Sequence, residues 1–426
     1  MRKQVLSALA FCSALGIAQA QTDVTKEYLV NPSFETLKAA DGTTDVAVKT
    51  KLESGLYGWE ISKLLDNQFS NYQVESEASG SSTGIPANGI IKPSQGEFYY
   101  FNRQGWGNVD GSELKTSTSK NLPIGTYYAV IDYKAADFSN NNDASKSGTT
   151  IGIKAENATN ELLGENTAVR RAYSTLTSNS DPYMVNAAWN ELGTMFTVTE
   201  PTTVTISLVQ NMKNSGRSDI AWDNLRLYQI ENVSENKPMD VSGLITTSNY
   251  YALGGWNIEG GNTFQVNTWS TEGEKDGSGM TTPFIQDHVG KENKAANATI
   301  SHTVNHLIPG IYEVSGLIRV LNEAGGDTPS GATLYANEGS TNACNGNPCT
   351  NGVYGTYTVK GTVGTDGVLT FGIKVANANF NWVSFKNFKL QYLGAASIEQ
   401  LQATLKEKIE EAKAYVENCP KGIAAI

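Results

Sequence analysis

From about Tyr28 to Gly394 apolar and polar residues alternate with a period of two, the mark of strands that bury one face. Val204, Ile206 and Leu208 share one face of TTVTISLVQ, and Leu369, Phe371, Ile373 and Val375 share one face of VLTFGIKVA. Gly, Asn, Ser and Thr fill the intervals, where they favour turns. Strands of this kind predict an all-β protein of antiparallel sheets packed as sandwiches.

The pattern occurs in two rounds. LPIGTYYAV (Leu122 to Val130) and LIPGIYEV (Leu307 to Val314) keep the same spacing, as Leu122, Gly125, Tyr127 and Leu307, Gly310, Tyr312. In each, Leu anchors a strand end, Pro and Gly turn the chain, and Tyr opens the next strand toward the core. The glycine is expected where the turn needs a positive φ. Before the phrase stand YGWEI with Trp59 and GGWNIEG with Trp256; after it stand SDIAWDNLRLYQI and VSFKNFKLQYL. DNLRL lies over KNFKL, with Asn224 on Asn387 and Leu227 on Leu390. Two sandwiches follow, at 23–231 and 241–394, and the charged, Pro-bearing stretch at 232–240 is the linker.

At 397–418 the period changes. Ile398, Leu401, Leu405, Ile409, Ala412 and Val416 are three or four apart, with Glu and Lys between them and Ser397 placed as N-cap, which predicts an amphipathic helix. A single helix must bury that stripe on the second sandwich, on a protein partner, or in a helical region of a longer chain.

Residues 1–20 form a leader: Arg2 and Lys3, an apolar run from Val5 to Ile17, and the small-x-small site Ala18-Gln19-Ala20. Export to the periplasm, cell surface or medium is expected. No later stretch approaches the roughly 20 apolar residues of a membrane span. The formal charge of −11, without basic clusters, argues against nucleic acid and anionic lipid and favours neutral partners. Cys344 and Cys349 in CNGNPC are expected to pair as a disulfide in an oxidising compartment, which leaves Cys419 single.

The order NPSFE (Asn31 to Glu35), then Gly-Trp, then a closing Trp-Asp-Asn-Leu strand resembles the carbohydrate-binding modules of the galactose-binding-like, jelly-roll β-sandwich type that accompany bacterial xylanases and glucanases. The whole chain is similar to exported glycan-related proteins of gut Bacteroidetes. The second copy lacks the NPSFE opening and the acidic closing strand. The resemblance implies a structural calcium in the first module, held by Glu35 and Asp223, whose hard carboxylate oxygens suit that ion. Lys386 and Asn387 stand at the corresponding place in the second module, where calcium is not expected.

Sugar binding needs flat aromatic surfaces with polar groups around them. GEFYYFNRQGWGNVDG supplies Tyr99, Tyr100, Arg103 and Trp106; DPYMVNAAWN supplies Tyr183 and Trp189; Trp269 and Trp382 are the candidates in the second module. Trp59, Trp222 and Trp256 belong to apolar strand patterns and are expected in the cores. Catalysis has little support: of three histidines, His288 is isolated, and His302 and His306 on one strand would be about 13 Å apart. No nucleophile elbow, Walker loop, zinc-protease motif or dinucleotide fingerprint occurs. The chain is thus expected to hold polysaccharide without catalysis. The alternatives are an adhesive or structural surface protein docking through its helix, and a divergent glycoside hydrolase using two of the 43 acidic residues.

Overall fold

The computed structural model describes residues 20–63, 71–77, 92–138, 150–169, 189–246, 255–260, 264–267, 284–325, 328–343 and 354–418. The side chains of 71, 103–111, 135–138, 169, 212–219, 266–267 and part of the last helix lie outside that description.

The first sandwich contains β1 (Gln21–Asp23), the short helix α1 (Thr25–Tyr28), β2 (Gly55–Leu56), β3 (Trp59–Lys63), β4 (Asn71–Ser76), β5 (Phe98–Ser117), β6 (Gly125–Phe138), β7 (Thr150–Asn157), β8 (Leu162–Val169), β9 (Asn190–Val198) and β10 (Val204–Ile230). β5 and β10 are long because each passes from one layer to the other. The first part of β10 pairs with β7 and with Ser112 to Ser117 of β5. Its last part pairs with β6 and with Tyr100 to Gln104 of β5. One layer therefore reads β3-β5-β10-β7-β8 and the other β4-β5-β10-β6-β9, all antiparallel. Between them Ile151, Ile153, Ile206 and Leu208 meet Tyr100, Ile131, Tyr133 and Trp222 in one buried cluster.

The second sandwich contains β11 (Met239–Asp240), β12 (Trp256–Gly260), β13 (Gln265–Asn267), β14 (Phe284–His288), β15 (Ala298–Val304), β16 (Gly310–Leu321), β17 (Ala332–Ala336), β18 (Gly339–Asn342), β19 (Gly355–Val363), β20 (Leu369–Val375) and β21 (Trp382–Tyr392). Its sheets run β13-β14-β21-β16-β19 and β12-β15-β20-β17-β18. This is the strand order of the first sandwich with β5 and β10 each cut in two. Asn224 and Asn387 occupy the same β-bulge, at φ of 54° and 53°, where the register of β10 on β6 and of β21 on β16 breaks. Asparagine tolerates this left-handed backbone better than most residues.

The repeated phrase closes the same corner in both copies. Tyr127 Oη donates to the Pro123 carbonyl and Tyr312 Oη to the Ile308 carbonyl, each at 2.9 Å, while Leu122 and Leu307 are buried. The glycine's role differs from expectation. Gly125 is not in the left-handed region, and a Cβ there would meet the end of the Gln229 side chain at 3.4 Å and the Tyr127 ring at 3.6 Å, ordinary contacts. At Gly310 a Cβ would lie 2.5 Å from the Gly394 carbonyl oxygen and from the Tyr392 ring, so glycine is needed for close approach. Gly310→Ala is expected to cost about 1–3 kcal/mol in urea unfolding, while Gly125→Ala stays within about 0.5 kcal/mol of wild type.

The sandwiches share an apolar contact. Tyr128, Val130 and Met195 of the first join Val241, Leu244 and Tyr312 of the second in one buried cluster. The linker is shorter than the sequence suggests, because Met239 and Asp240 already pair with Tyr392 and Gln391 of β21. Beyond the second sandwich, helix α2 (Ile398–Asn418) starts in a capping box: Gln400 N donates to Ser397 Oγ and Ser397 N to Gln400 Oε1. Ile398, Leu401, Leu405, Ile409 and Val416 of its apolar stripe remain exposed.

Candidate functional site

Alternation in the β4-β5-β10-β6-β9 layer sends Val74, Tyr100, Trp222 and Tyr133 into the core. Their neighbours Glu75, Tyr99, Asp223 and Lys134 must then point to the opposite face. On an ordinary outer face these groups would be hydrated. Here Gln73, Glu75, Tyr99, Asp132, Lys134 and Asp223 are all buried, so the outer face is itself a covered polar layer.

Its groups are joined to one another. Tyr99 Oη donates to Glu75 Oε2 at 2.8 Å, and Gln73 Nε2 donates to Glu75 Oε1. Burial and the neighbouring Glu75 carboxylate hold the Tyr99 phenol well above its ordinary range. Trp189, just ahead of β9, is half-buried at the edge of this layer. Its Nε1 donates to the Lys92 carbonyl at 3.0 Å, Tyr99 meets it edge-on at 6.2 Å between centroids, and Lys134 Nζ lies 5.4 Å from its ring centre. Burial lowers the Lys134 ammonium to about 8.

Trp189 also lines a cleft of about 490 Å³, within the range of small-ligand sites. On the first sandwich's side the cleft is walled by Asp132, Asn190, Glu191 and Arg226. Arg226 donates to Asp132 Oδ1 and, at 3.0 Å, to Glu191 Oε1; Asn224 Nδ2 donates to Asp132 Oδ2 at 3.0 Å. Burial raises the Glu191 carboxyl. The second sandwich supplies Asp240, Ser242, Asn387, Phe388 and Lys389. Two other grooves, one beside Trp59 and one beside Tyr335, do not join a half-buried tryptophan to buried charge.

The sequence candidates separate sharply in this setting. Tyr99 and Tyr100 are fully buried, so neither offers a face to a sugar: Tyr100 packs in the core, 5.6 Å from Phe34, and Tyr99 belongs to the polar layer. Trp382 has its ring occupied from both neighbouring strands, by His288 of β14 stacked at 4.3 Å and by the Arg319 guanidinium of β16 at 4.1 Å. It is a structural stack, tied further by the bond between His288 Nε2 and Glu323 at 2.8 Å. Tyr183, Trp269, Cys344, Cys349 and the side chains of Arg103 and Trp106 lie outside the described residues. Among the described candidates, Trp189 is the one that reaches a cleft. His302 is buried and bonded to the Gly255 carbonyl, while His306 lies beyond β15 at φ 58° rather than on the strand.

Glu35 and Asp223 approach the same turn without sharing an ion site. Asp223 accepts from Ser94 N, Ser94 Oγ, Gln95 N and Asn224 N at 2.7–3.0 Å. Glu35 accepts from Glu97 N and Phe98 N at 3.1 Å. Calcium wants six to eight oxygen ligands. Here N–H groups face the carboxylates, and among the described residues no group of three or more His, Cys, Asp or Glu side chains is placed to hold an ion. This donor set does not fit the calcium implied by the resemblance. The opening motif reaches the closing strand directly instead, through Leu225 N to the Pro32 carbonyl at 3.0 Å. Chelation with EGTA is therefore expected to leave the melting temperature unchanged; a rise of several degrees with millimolar calcium would show that the carboxylates rearrange around an ion.

Glu75, Asp132, Lys134, Glu191 and Arg226 were not singled out by sequence, because a charged residue on the outward face of a strand is unremarkable. The usable signal was the alternation of Gln73 with Glu75 in YQVES and of Asp132 with Lys134 in IDYK, which becomes one face only when the strand pairing is known.

No protein-family profile and no curated protein matches the sequence. Among solved structures, the chain is similar to an apo cyclase from Fischerella sp. at 15% identity and a TM-score of 0.31, over 49% of this chain and 97% of that one. It is similar to the N-terminal CBM22-1–CBM22-2 tandem of Paenibacillus barcinonensis Xyn10C at 9% identity and a TM-score of 0.25, over 88% of this chain and 99% of that one. A third likeness is to TmCBM61 in complex with β-1,4-galactotriose, at 14% identity and a TM-score of 0.27, over 47% of this chain and 97% of that one.

Proposed function

We propose that this is an exported, non-catalytic protein that binds polysaccharide at the first sandwich, with Trp189 as the stacking platform. The observation that carries this reading is the half-buried Trp189 ring at the edge of a buried layer of carboxylate, amide and ammonium groups. An apolar plane beside fixed polar groups is the combination that recognises a pyranose: the plane takes the C–H face and the polar groups take the hydroxyls. The layer is held in place before any ligand arrives, which lowers the entropic cost of binding. The test is retention of the full chain on immobilised plant, microbial and host polysaccharides. Retention on one class supports the reading, and a folded protein retained on none defeats it.

A second reading, docking to a protein through α2, is favoured by one observation: Ile398 and Val416 are 71% and 72% exposed at opposite ends of the apolar stripe. Loss of 397–418 would then abolish association with the partner and leave glycan retention intact.

A further inference from the structure

The closing strand carries the best-matched part of the repeat, and its bulge reaches one cleft from both sandwiches. Asn224, Leu225 and Arg226 of β10 correspond to Asn387, Phe388 and Lys389 of β21. Arg226 walls the cleft on one side; Asn387, Phe388 and Lys389 wall it on the other. Asn387 and Lys389 are exposed there, beside Asp240 at the end of the linker. The walls are held by the shared apolar contact, and a Cβ at Gly243 would already lie 2.6 Å from Tyr128 Oη.

We propose that the second sandwich is part of the binding site: a glycan chain stacked on Trp189 continues across the junction, where Asn387, Lys389 and Asp240 hydrogen-bond its hydroxyls. This rests on the glycan-binding reading of Trp189. The charges name the class of glycan. Arg226 is already engaged by Asp132 and Glu191, and with Asp240 the cleft lining carries three carboxylates against two cations, Arg226 and Lys389; Lys134, beside the Trp189 ring, is buried and does not line the cleft. A sugar carboxylate entering this cleft meets excess negative charge, so the ligand is a neutral polysaccharide and not a uronate polymer.

The experiment is calorimetric titration of the full chain with disaccharide to hexasaccharide fragments of the neutral polysaccharide that retains it, and with polygalacturonate. Wild type is expected to bind longer fragments more tightly. The double variant Asn387→Ala/Lys389→Ala, which changes exposed side chains, is expected to lose about tenfold in affinity for the hexasaccharide and nothing for the disaccharide. Trp189→Ala loses both. A folded double variant that binds the hexasaccharide like wild type overturns the composite site, and tighter binding of polygalacturonate than of the neutral fragment overturns the charge assignment. Absence of wild-type binding to any glycan removes the underlying reading and this one with it.

Discussion

Trp189→Ala is expected to weaken glycan binding by about thirtyfold or more, the effect of losing a central aromatic contact of about 2 kcal/mol. Truncation removes the stacking plane but no part of either sandwich core, because Trp189 lies outside both buried clusters. Its loss also uncovers Lys134, whose ammonium pays for burial beneath the ring. Hydrating that charge offsets part of the lost packing, so the melting temperature is expected to move by only a few degrees. In proton-linkage terms, the Lys134 ammonium at about 8 in the folded wild type lies below its unfolded value of 10.5. Wild-type stability should therefore rise as pH increases from about 8 to about 10.5. In Trp189→Ala that rise should shrink. Trp382→Ala is the contrasting control: it breaks the stack with His288 and Arg319, so it should lower stability without touching affinity. Unchanged retention by a folded Trp189→Ala protein would refute the assigned platform.

Asp223→Ala is expected to be the most damaging single change in the first sandwich, at about 3 kcal/mol or more in urea unfolding. The side chain is fully buried and receives four donors, three of them backbone N–H groups. Alanine leaves these without their acceptor at a partly buried turn, and each group orphaned there costs about 1–3 kcal/mol. Asp223→Asn separates charge from hydrogen bonding. Burial raises the native carboxyl from 3.8 to about 7, so the folded state binds the extra proton between those values. Stability attributable to this group is fully present below about pH 4, declines as pH rises toward 7, and is level above that. The asparagine variant should lose this slope while retaining one acceptor. A wild-type stability that instead increases from pH 4 to 7 at this site, isolated by difference from Asp223→Asn, would show that the four donors outweigh burial.

Much of the architecture was legible in the sequence because alternation reports which face of a strand is buried. Trp59, Trp222 and Trp256 are in the cores, and Val204, Ile206 and Leu208 share an inward face. The overlay of Asn224 on Asn387 is realised as a matched bulge. Alternation says nothing about what covers the other face, which is why the polar layer of Glu75, Tyr99, Asp132 and Lys134 was invisible. Composition around an aromatic was no better a guide to exposure. Tyr99 and Tyr100 sit in a polar-looking segment yet are buried, and Trp382 is masked by partners from strands distant in sequence. Gly310 is explained by a carbonyl at Gly394, a contact that no local turn preference encodes.

The start and finish of the first sandwich lie side by side: β1 pairs Gln21 with Ile230, and Glu231 N donates to the Ala20 carbonyl at 3.1 Å. A pull applied between the chain's beginning and the second sandwich would therefore not stretch the first sandwich along its length. It would open the short β1–β10 ladder from its end, one hydrogen bond after another, which is the mechanically weak direction of an antiparallel pair. Under such tension the sandwich holding Trp189 should stay folded as β1 peels away, with that ladder yielding first and adding slack to the tether.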